Sequence, residues 1–240
     1  MEKHYFYNPG LKKEDRVVLL TEQEFYHLDR VLRLKESDSV YLLNGKGLVA
    51  QGEIKSKTET SAEIIILSNS FFKKPRNIIL LQSLIKKDAM DLVIEKAQEL
   101  GLSALWPVIA SRSVVKIGHG KKSQNKLERW QRIAIEAMKQ SGSPYLMEIL
   151  EPGSFRDILS KLSKEESKYI LNKYGQEAKT IIGSDLGDIL LLIGPEGGFT
   201  EEEYKEADSY GFKSISLGES RLRSETAAIS AVSIFKCLIS

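Results

Sequence analysis

From residue 78 onward, five mostly apolar runs alternate with helical patterns, and this alternation is the strongest constraint the sequence places on its fold. The runs lie at 78–84, 104–109, 169–172, 189–193 and 213–217. Between the first two, residues 88–100 carry Val93, Ile94, Ala97 and Leu100 at helical spacing and stop at Gly101. Residues 125–140 repeat that logic and stop at Gly142. The stretch 200–210 opens on a capping box, Thr200 to Glu203, and stops at Gly211, and 224–239 reads as a final helix. Continuous apolar strands separated by helices predict an α/β domain whose mostly parallel sheet is covered on both faces.

The first seventy residues read differently. Short extended runs at 5–7, 16–20, 39–43, 48–54 and 61–67, with Asn44-Gly45 as a hairpin turn, predict a small β-barrel. One helix interrupts it over 22–34, opened by the capping box Thr21-Glu-Gln-Glu24. The segment FFKKPR at 71–76 combines charge with a proline that disfavours helix before it. The expected organisation is a barrel over 1–72, a linker at 73–77 and an α/β domain over 78–240.

At 240 residues, 42% apolar and 28% charged, the chain falls in the globular range and can bury a sizeable core. The single cysteine, Cys237, cannot form an intramolecular disulfide, and with three scattered histidines it builds no metal cage. The N-terminus lacks a secretory apolar region and no apolar run is long enough to span a bilayer, so a soluble cytoplasmic protein is expected. Net charge is only +2, but from Arg112 to Gln140 eight basic residues face two acidic ones. Such a stripe is either a solvated helix face or the footprint of a phosphate backbone.

Several common signatures are absent. GHGKKS at 118–123 lacks the first glycine of a phosphate-binding loop, since Val115 stands there, and reads as a basic flexible loop. No G-x-G-x-x-G follows a strand, and no G-x-S-x-G occurs. Two segments carry chemistry instead. In LLLIGPEGGFT, at 190–200, an apolar strand runs into three glycines, a stiffening proline and a capped helix, the arrangement by which α/β sheets bring backbone close to a ligand. In SLGESRLRSETAA, at 216–228, a second strand ends in a glycine loop bearing Arg221 and Arg223. Ser224 reads there as the cap of the last helix, with Glu225 in its first turn. Capping does not account for the arginines, which suit an anionic or polarised substrate.

IGPEGGF (193–199) and LGESRLRSETAA (217–228) form a specific pair. With EKAQELG (95–101), SRSVVK (111–116), ERW (128–130) and HLDRVLRL (27–34), they resemble the bacterial family that N3-methylates a uridine of 16S ribosomal RNA. That family belongs to the SPOUT methyltransferases. The resemblance implies an α/β domain tied in a deep trefoil knot, an N-terminal PUA-like barrel for RNA, S-adenosylmethionine as methyl donor, a homodimer, and the small ribosomal subunit as partner, with no membrane and no metal. It places the cofactor among Leu171, Asn172, Ile193, Gly194, Pro195, Glu196, Gly197, Gly198, Leu217, Gly218, Ser220, Leu222 and Arg223. RNA contacts are expected from His27, Arg30, Arg33, Arg112, Lys116, Lys121, Lys122 and Lys126. The chain departs from the family pattern in having Ser220 where an arginine usually follows LG-x, with Arg221 one place later, Ser143 where many relatives have arginine after QSG, and Ser37 where glycine is expected before the aspartate.

Uracil N3 is protonated at neutral pH, so the implied reaction needs a group that favours the deprotonated base. Arg223 is the first candidate for stabilising charge on the uracil carbonyls and Arg112 the second. Glu196 is either a proton acceptor or a carboxylate that holds its own loop through backbone N–H groups. Two readings from other classes stay open at this level. One is a non-catalytic RNA-binding ribosome-assembly factor, which leaves the glycine loops idle, and the other is a small-molecule α/β enzyme, which leaves the barrel idle.

Overall fold

A computed structural model describes residues 3–115, 121–162, 167–181 and 187–239. The chain divides into two compact units, Met1–Lys74 with Ile135–Leu146, and Pro75–Ala134 with Met147–Ser240.

In the first unit β1 (Tyr5–Tyr7), β2 (Val17–Thr21), β3 (Ser39–Leu43), β4 (Leu48–Lys57) and β5 (Ser61–Phe71) form one sheet in the order β1-β3-β4-β5-β2. β1 runs parallel to β3 and the other pairs are antiparallel. The strands at the two ends, β1 and β2, are not bonded to each other, so the expected barrel is an open, curled sheet. Alternation sorts its faces: Val18 and Leu20 of β2 are buried while Val17 and Leu19 are exposed. The inward residues join Phe6, Phe25, Leu28, Leu42, Ile54 and Ile64 in one core. β5 reaches Phe71, the first residue of the segment read as charged and proline-broken.

The helix expected over 22–34 is shorter and irregular. It comprises α1 (Glu22–Tyr26) followed by a π-helical turn over His27–Val31, and the Thr21 side chain makes no capping hydrogen bond. The capping box fails because its glutamate is used elsewhere. Glu24 Oε2 accepts from the Tyr7 N–H at 3.2 Å and Oε1 accepts from Lys139 Nζ at 2.9 Å.

Lys139 lies in α3 (Lys121–Ser141), whose last residues, with the turn that follows, belong to this first unit. The Leu146 N–H donates to the Gly45 carbonyl at 3.0 Å, the Gly47 N–H to the Pro144 carbonyl at 2.9 Å, and the Tyr145 hydroxyl to the Phe72 carbonyl at 2.6 Å. Gly142 ends the helix at φ +65°, and a Cβ there would stand 2.7 Å from the Tyr5 ring, so only glycine fits.

Among the described residues the second unit has seven strands: β6 (Ile78–Ser83), β7 (Ala104–Ile109), β8 (Glu148–Ile149), β9 (Gly153–Ser154), β10 (Ser167–Glu177), β11 (Ile189–Ile193) and β12 (Lys213–Ser216). Their order is β12-β10-β11-β6-β7-β8, with β9 also on β7, and every pairing is parallel. β11 is buried along its whole length and matches β6 residue for residue from Ile189 opposite Ile78 to Ile193 opposite Gln82. The helices read from spacing are present: α2 (Lys87–Glu99), α3, α6 (Glu201–Ser209) and α7 (Ser224–Ile239). α6 carries the predicted capping box, with Thr200 and Glu203 bonded reciprocally. Four features were not read from the sequence: the two-residue strands β8 and β9, and the single turns α4 (Phe155–Leu159) and α5 (Ala178–Ile181). None is long enough to show a period. α3 starts at Lys121, inside the segment read as a flexible loop, while residues 118–120 of that segment lie outside the described residues.

Lys139 is 6% exposed and is held by Glu24 at 2.9 Å and Glu136 at 2.8 Å. Burial lowers its pKa, but the two carboxylates more than offset that and the net shift is upward from 10.5. Stabilisation from this cluster is therefore complete below pH 10.5 and is lost as the pH rises through the higher folded value. Lys139→Met should cost about 2 kcal/mol at neutral pH, less than a fully buried pair because Glu136 is largely exposed. Urea unfolding of both proteins as a function of pH checks this, and the difference should shrink in alkali.

Candidate active site at the carboxyl edge of the parallel sheet

Because all strands of the second unit are parallel, the loops that follow β6, β7, β11 and β12 leave from the same edge, where open α/β sheets bind ligands. Here the loops are hydrogen-bonded to one another. The Ser224 hydroxyl, at the start of α7, donates to the Gly194 carbonyl at 2.6 Å and accepts from Gln82 Nε2 at 3.0 Å. Gln82 is fully buried at the end of β6 and also donates to the Ser83 carbonyl at 2.9 Å. Ser224 is thus no cap for α7: the Arg223 carbonyl accepts the Ala227 N–H, and the serine hydroxyl ties three elements together.

The glycine loop after β11 is held from outside as well. Glu196 Oε1 accepts from the Lys86 N–H, just before α2, at 3.2 Å. The Glu196 carbonyl accepts from Arg221 Nη2 at 3.3 Å. Arg112 Nη1, from the loop after β7, donates to the carbonyls of Gly197 at 3.1 Å and Phe199 at 3.3 Å. On the same side Glu203 Oε1 accepts from the Ser111 N–H at 2.8 Å. Tyr204 donates its hydroxyl to the Leu171 carbonyl at 3.3 Å. Burial and the Glu203 carboxylate raise that phenol's pKa, against a smaller opposite effect of Arg112, so it stays protonated and able to donate.

Open space remains at two points. Gly198 at φ +69° and Gly218 at φ +131° have nothing within 4 Å of where a Cβ would stand. Gly197, by contrast, is closed in by Arg112, whose Cβ would lie 3.3 Å away. The loop after β12 carries Ser220, Leu222 and Arg223, all exposed. Arg223 has no ion-pair or hydrogen-bond partner for its guanidinium among the described residues. Beside it, β10 makes an excursion: Leu171 and Gln176 both oppose Ile215, so Asn172 and the three residues after it stand outside the ladder at the same sheet edge.

The residues read from the two glycine-containing motifs, together with Leu171, Asn172 and Arg112, therefore converge on one edge. The RNA candidates are more scattered. His27, Arg30 and Arg33 belong to the first unit, where the His27 ring leans on Phe6 at 5.9 Å with Nδ1 buried and unbonded. Lys121, Lys122 and Lys126 lie on α3, and Lys116 lies outside the described residues. The basic stripe is partly structural: Arg112 holds the glycine loop, Arg129 pairs with Asp91 and Lys139 with Glu24. Gln82 and the bridging role of Ser224 were not read from the sequence. The polar pair Gln82-Ser83 inside an otherwise apolar strand was the available signal.

The chain thus carries a curled sheet in one unit and, in the other, a parallel α/β sheet with this loop cluster at its carboxyl edge. A family model described as an RNA methyltransferase domain matches residues 72–236, and one described as an RNA methyltransferase PUA domain matches residues 20–67. The chain is 33% identical over 233 residues to the ribosomal RNA small subunit methyltransferase E of Aquifex aeolicus, covering 96% of this chain and 98% of that one. Among solved structures it resembles the corresponding enzyme of Neisseria gonorrhoeae bound to S-adenosylmethionine, with TM-score 0.91, 32% identity and coverage of 99% and 98%. A Legionella pneumophila methyltransferase in complex with the same cofactor gives TM-score 0.90, 30% identity and the same coverage. The chain belongs to the RNA methyltransferase family. Within that class it is a member of the ribosomal RNA small subunit methyltransferase E family.

Ser224→Ala should leave the Gly194 carbonyl without its donor and lower the stability of the second unit by about 1–3 kcal/mol. Urea unfolding followed at Trp106 and Trp130, both in that unit, measures it. An unchanged midpoint would show that the hydroxyl bridge contributes nothing net.

Proposed function

We propose that the chain transfers the methyl group of S-adenosylmethionine to N3 of a uridine in 16S ribosomal RNA of the small subunit, working as a cytoplasmic homodimer. In this reading residues 78–240 carry the chemistry on a deep trefoil knot, and residues 1–72, joined through 73–77, carry RNA recognition. The observation that supports it most is the pairing, on one sheet edge, of an open glycine cradle with an arginine that has no partner among the described residues.

The donor set suits the cofactor. Gly198 and Gly218 leave space that any side chain would fill, and the backbone between Ile193 and Gly198 and from Leu217 to Leu222 offers amides and carbonyls to a nucleoside and an amino acid. When bound, S-adenosylmethionine supplies an electrophilic methyl on a sulfonium, which needs no metal. The residues of the chain then have three tasks. The first is orientation, met by loops that Ser224, Arg112 and Arg221 hold in place. The second is access: N3 lies on the pairing edge of uracil, so the target must be unpaired or extruded. The third is charge. Loss of the N3 proton puts negative charge on the flanking carbonyls, and the Arg223 guanidinium can donate to one of them while leaving N3 open. The proton leaves to solvent, and the nitrogen lone pair forms the new N–C bond as the S–C bond breaks.

Arg112 and Glu196 have lesser roles in this account. The Arg112 guanidinium is already bonded to two loop carbonyls and the Glu196 carboxylate to a backbone N–H, which favours loop-holding over proton transfer for Glu196. Arg223→Ala should slow single-turnover methyl transfer by about a hundredfold while changing cofactor and RNA affinity much less, and Arg223→Lys should recover only part of the rate. A rate within a few-fold of wild type, or a defect lying wholly in cofactor affinity, would remove Arg223 from the chemistry.

A further inference from the structure

The first unit has an open cavity of about 660 Å³ between the start of α1 and the turn joining β4 to β5. That volume lies in the range of small-molecule sites. Its lining divides into three chemistries. Phe25 and Tyr26 provide apolar surface, Tyr26 with 62% of its surface exposed and its ring available to stack. Glu22 and Glu59 bring carboxylates, and neither takes part in an ion pair among the described residues. Arg30, 73% exposed and 3.4 Å from Asp29, stands on the rim. Among the described residues Glu22 is one of three non-glycine residues with positive φ, at +50°, a conformation that costs energy and is retained where surrounding structure enforces it.

This composition selects its occupant. Two carboxylates against one arginine make the cavity net acidic, so a phosphate backbone is repelled from its floor. A flat group that stacks on tyrosine and presents N–H donors is favoured. Among nucleobases, guanine alone offers two adjacent donors, N1–H and the exocyclic N2–H, in the spacing that a single carboxylate accepts. Adenine and cytosine offer an amine beside an acceptor nitrogen. Uracil flanks its one N–H with two carbonyl oxygens that a carboxylate repels. We propose that this cavity is a recognition site for an unpaired guanine of the RNA substrate. The base stacks on Tyr26, its N1–H and N2–H donate to a cavity carboxylate, and Arg30 donates to the adjoining phosphate. The inference rests on the proposed RNA substrate but concerns a site separate from the methyl-transfer loops.

The test uses the full chain and four labelled pentaribonucleotides, all uridine except for a central guanosine, inosine, adenosine or uridine, with binding followed by fluorescence anisotropy. The guanosine pentamer should bind about tenfold tighter than the inosine one, which lacks only the exocyclic amine. Tyr26→Ala should weaken the guanosine pentamer about fivefold or more, Tyr26→Phe should preserve it, and Glu22→Gln with Glu59→Gln should abolish the preference. Equal binding of all four pentamers, or a guanosine preference that survives Tyr26→Ala, overturns the proposal. Methyl transfer to small subunits, measured in parallel, separates the two readings: flat pentamer binding with intact transfer removes the guanine site alone, and guanosine preference without transfer removes the enzyme reading and leaves the site.

Discussion

In an all-parallel sheet every strand delivers its carboxyl end to the same edge, and the second unit depends on that constraint. Four loops from β6, β7, β11 and β12 must share the edge, and the Ser224 hydroxyl is the contact that joins three of their elements. It couples the buried Gln82 of β6, the carbonyl of Gly194 after β11, and the first turn of the last helix. A hydroxyl can do this because it donates and accepts at once, and both capacities are used inside the protein. The glycine loop it anchors is then braced from the other side by Arg112 and by Glu196.

The same edge shows a division of labour among three arginines. Arg112 and Arg221 are bonded to carbonyls of the glycine loop, which fixes both side chains and braces that loop. Arg223, two residues beyond Arg221, is left unpaired among the described residues. That contrast gives the proposed chemistry its physical basis: two guanidinium groups hold a frame, and the third is free to meet charge that develops during reaction. Arg221, by its bond to the Glu196 carbonyl, ties the loop after β12 to the glycine loop after β11.

Much of this was readable because long buried strands and well-capped helices impose strong periods. β11 and β6 were read with little error, and the α6 capping box formed as written. The matching box at Thr21 did not, since Glu24 found a better partner in Lys139, more than a hundred residues away in sequence, and no local pattern reports such a partner. The same distance hid the joining of residues 135–146 to the first unit. At the site, the glycine and arginine motifs announced themselves by composition. Gln82 did not, because the polar pair Gln82-Ser83 at the end of an apolar run signals only that a partner exists, not that the partner is Ser224. The basic stripe counted structural and solvent-facing residues together for a related reason: charge counts do not distinguish a lysine buried between two glutamates from one in solvent.

The central claim is that the edge cluster methylates uracil N3 in small-subunit RNA. The most direct measurement incubates the purified chain with S-adenosylmethionine and small subunits from cells lacking the activity, digests the RNA to nucleosides and separates the methyluridine isomers by mass spectrometry. The account predicts one N3-methyluridine per subunit at completion and none without the protein. Methyl groups on carbon 5, on the ribose or on another base would contradict the assigned chemistry, and RNA that binds and remains unmethylated would contradict catalysis itself.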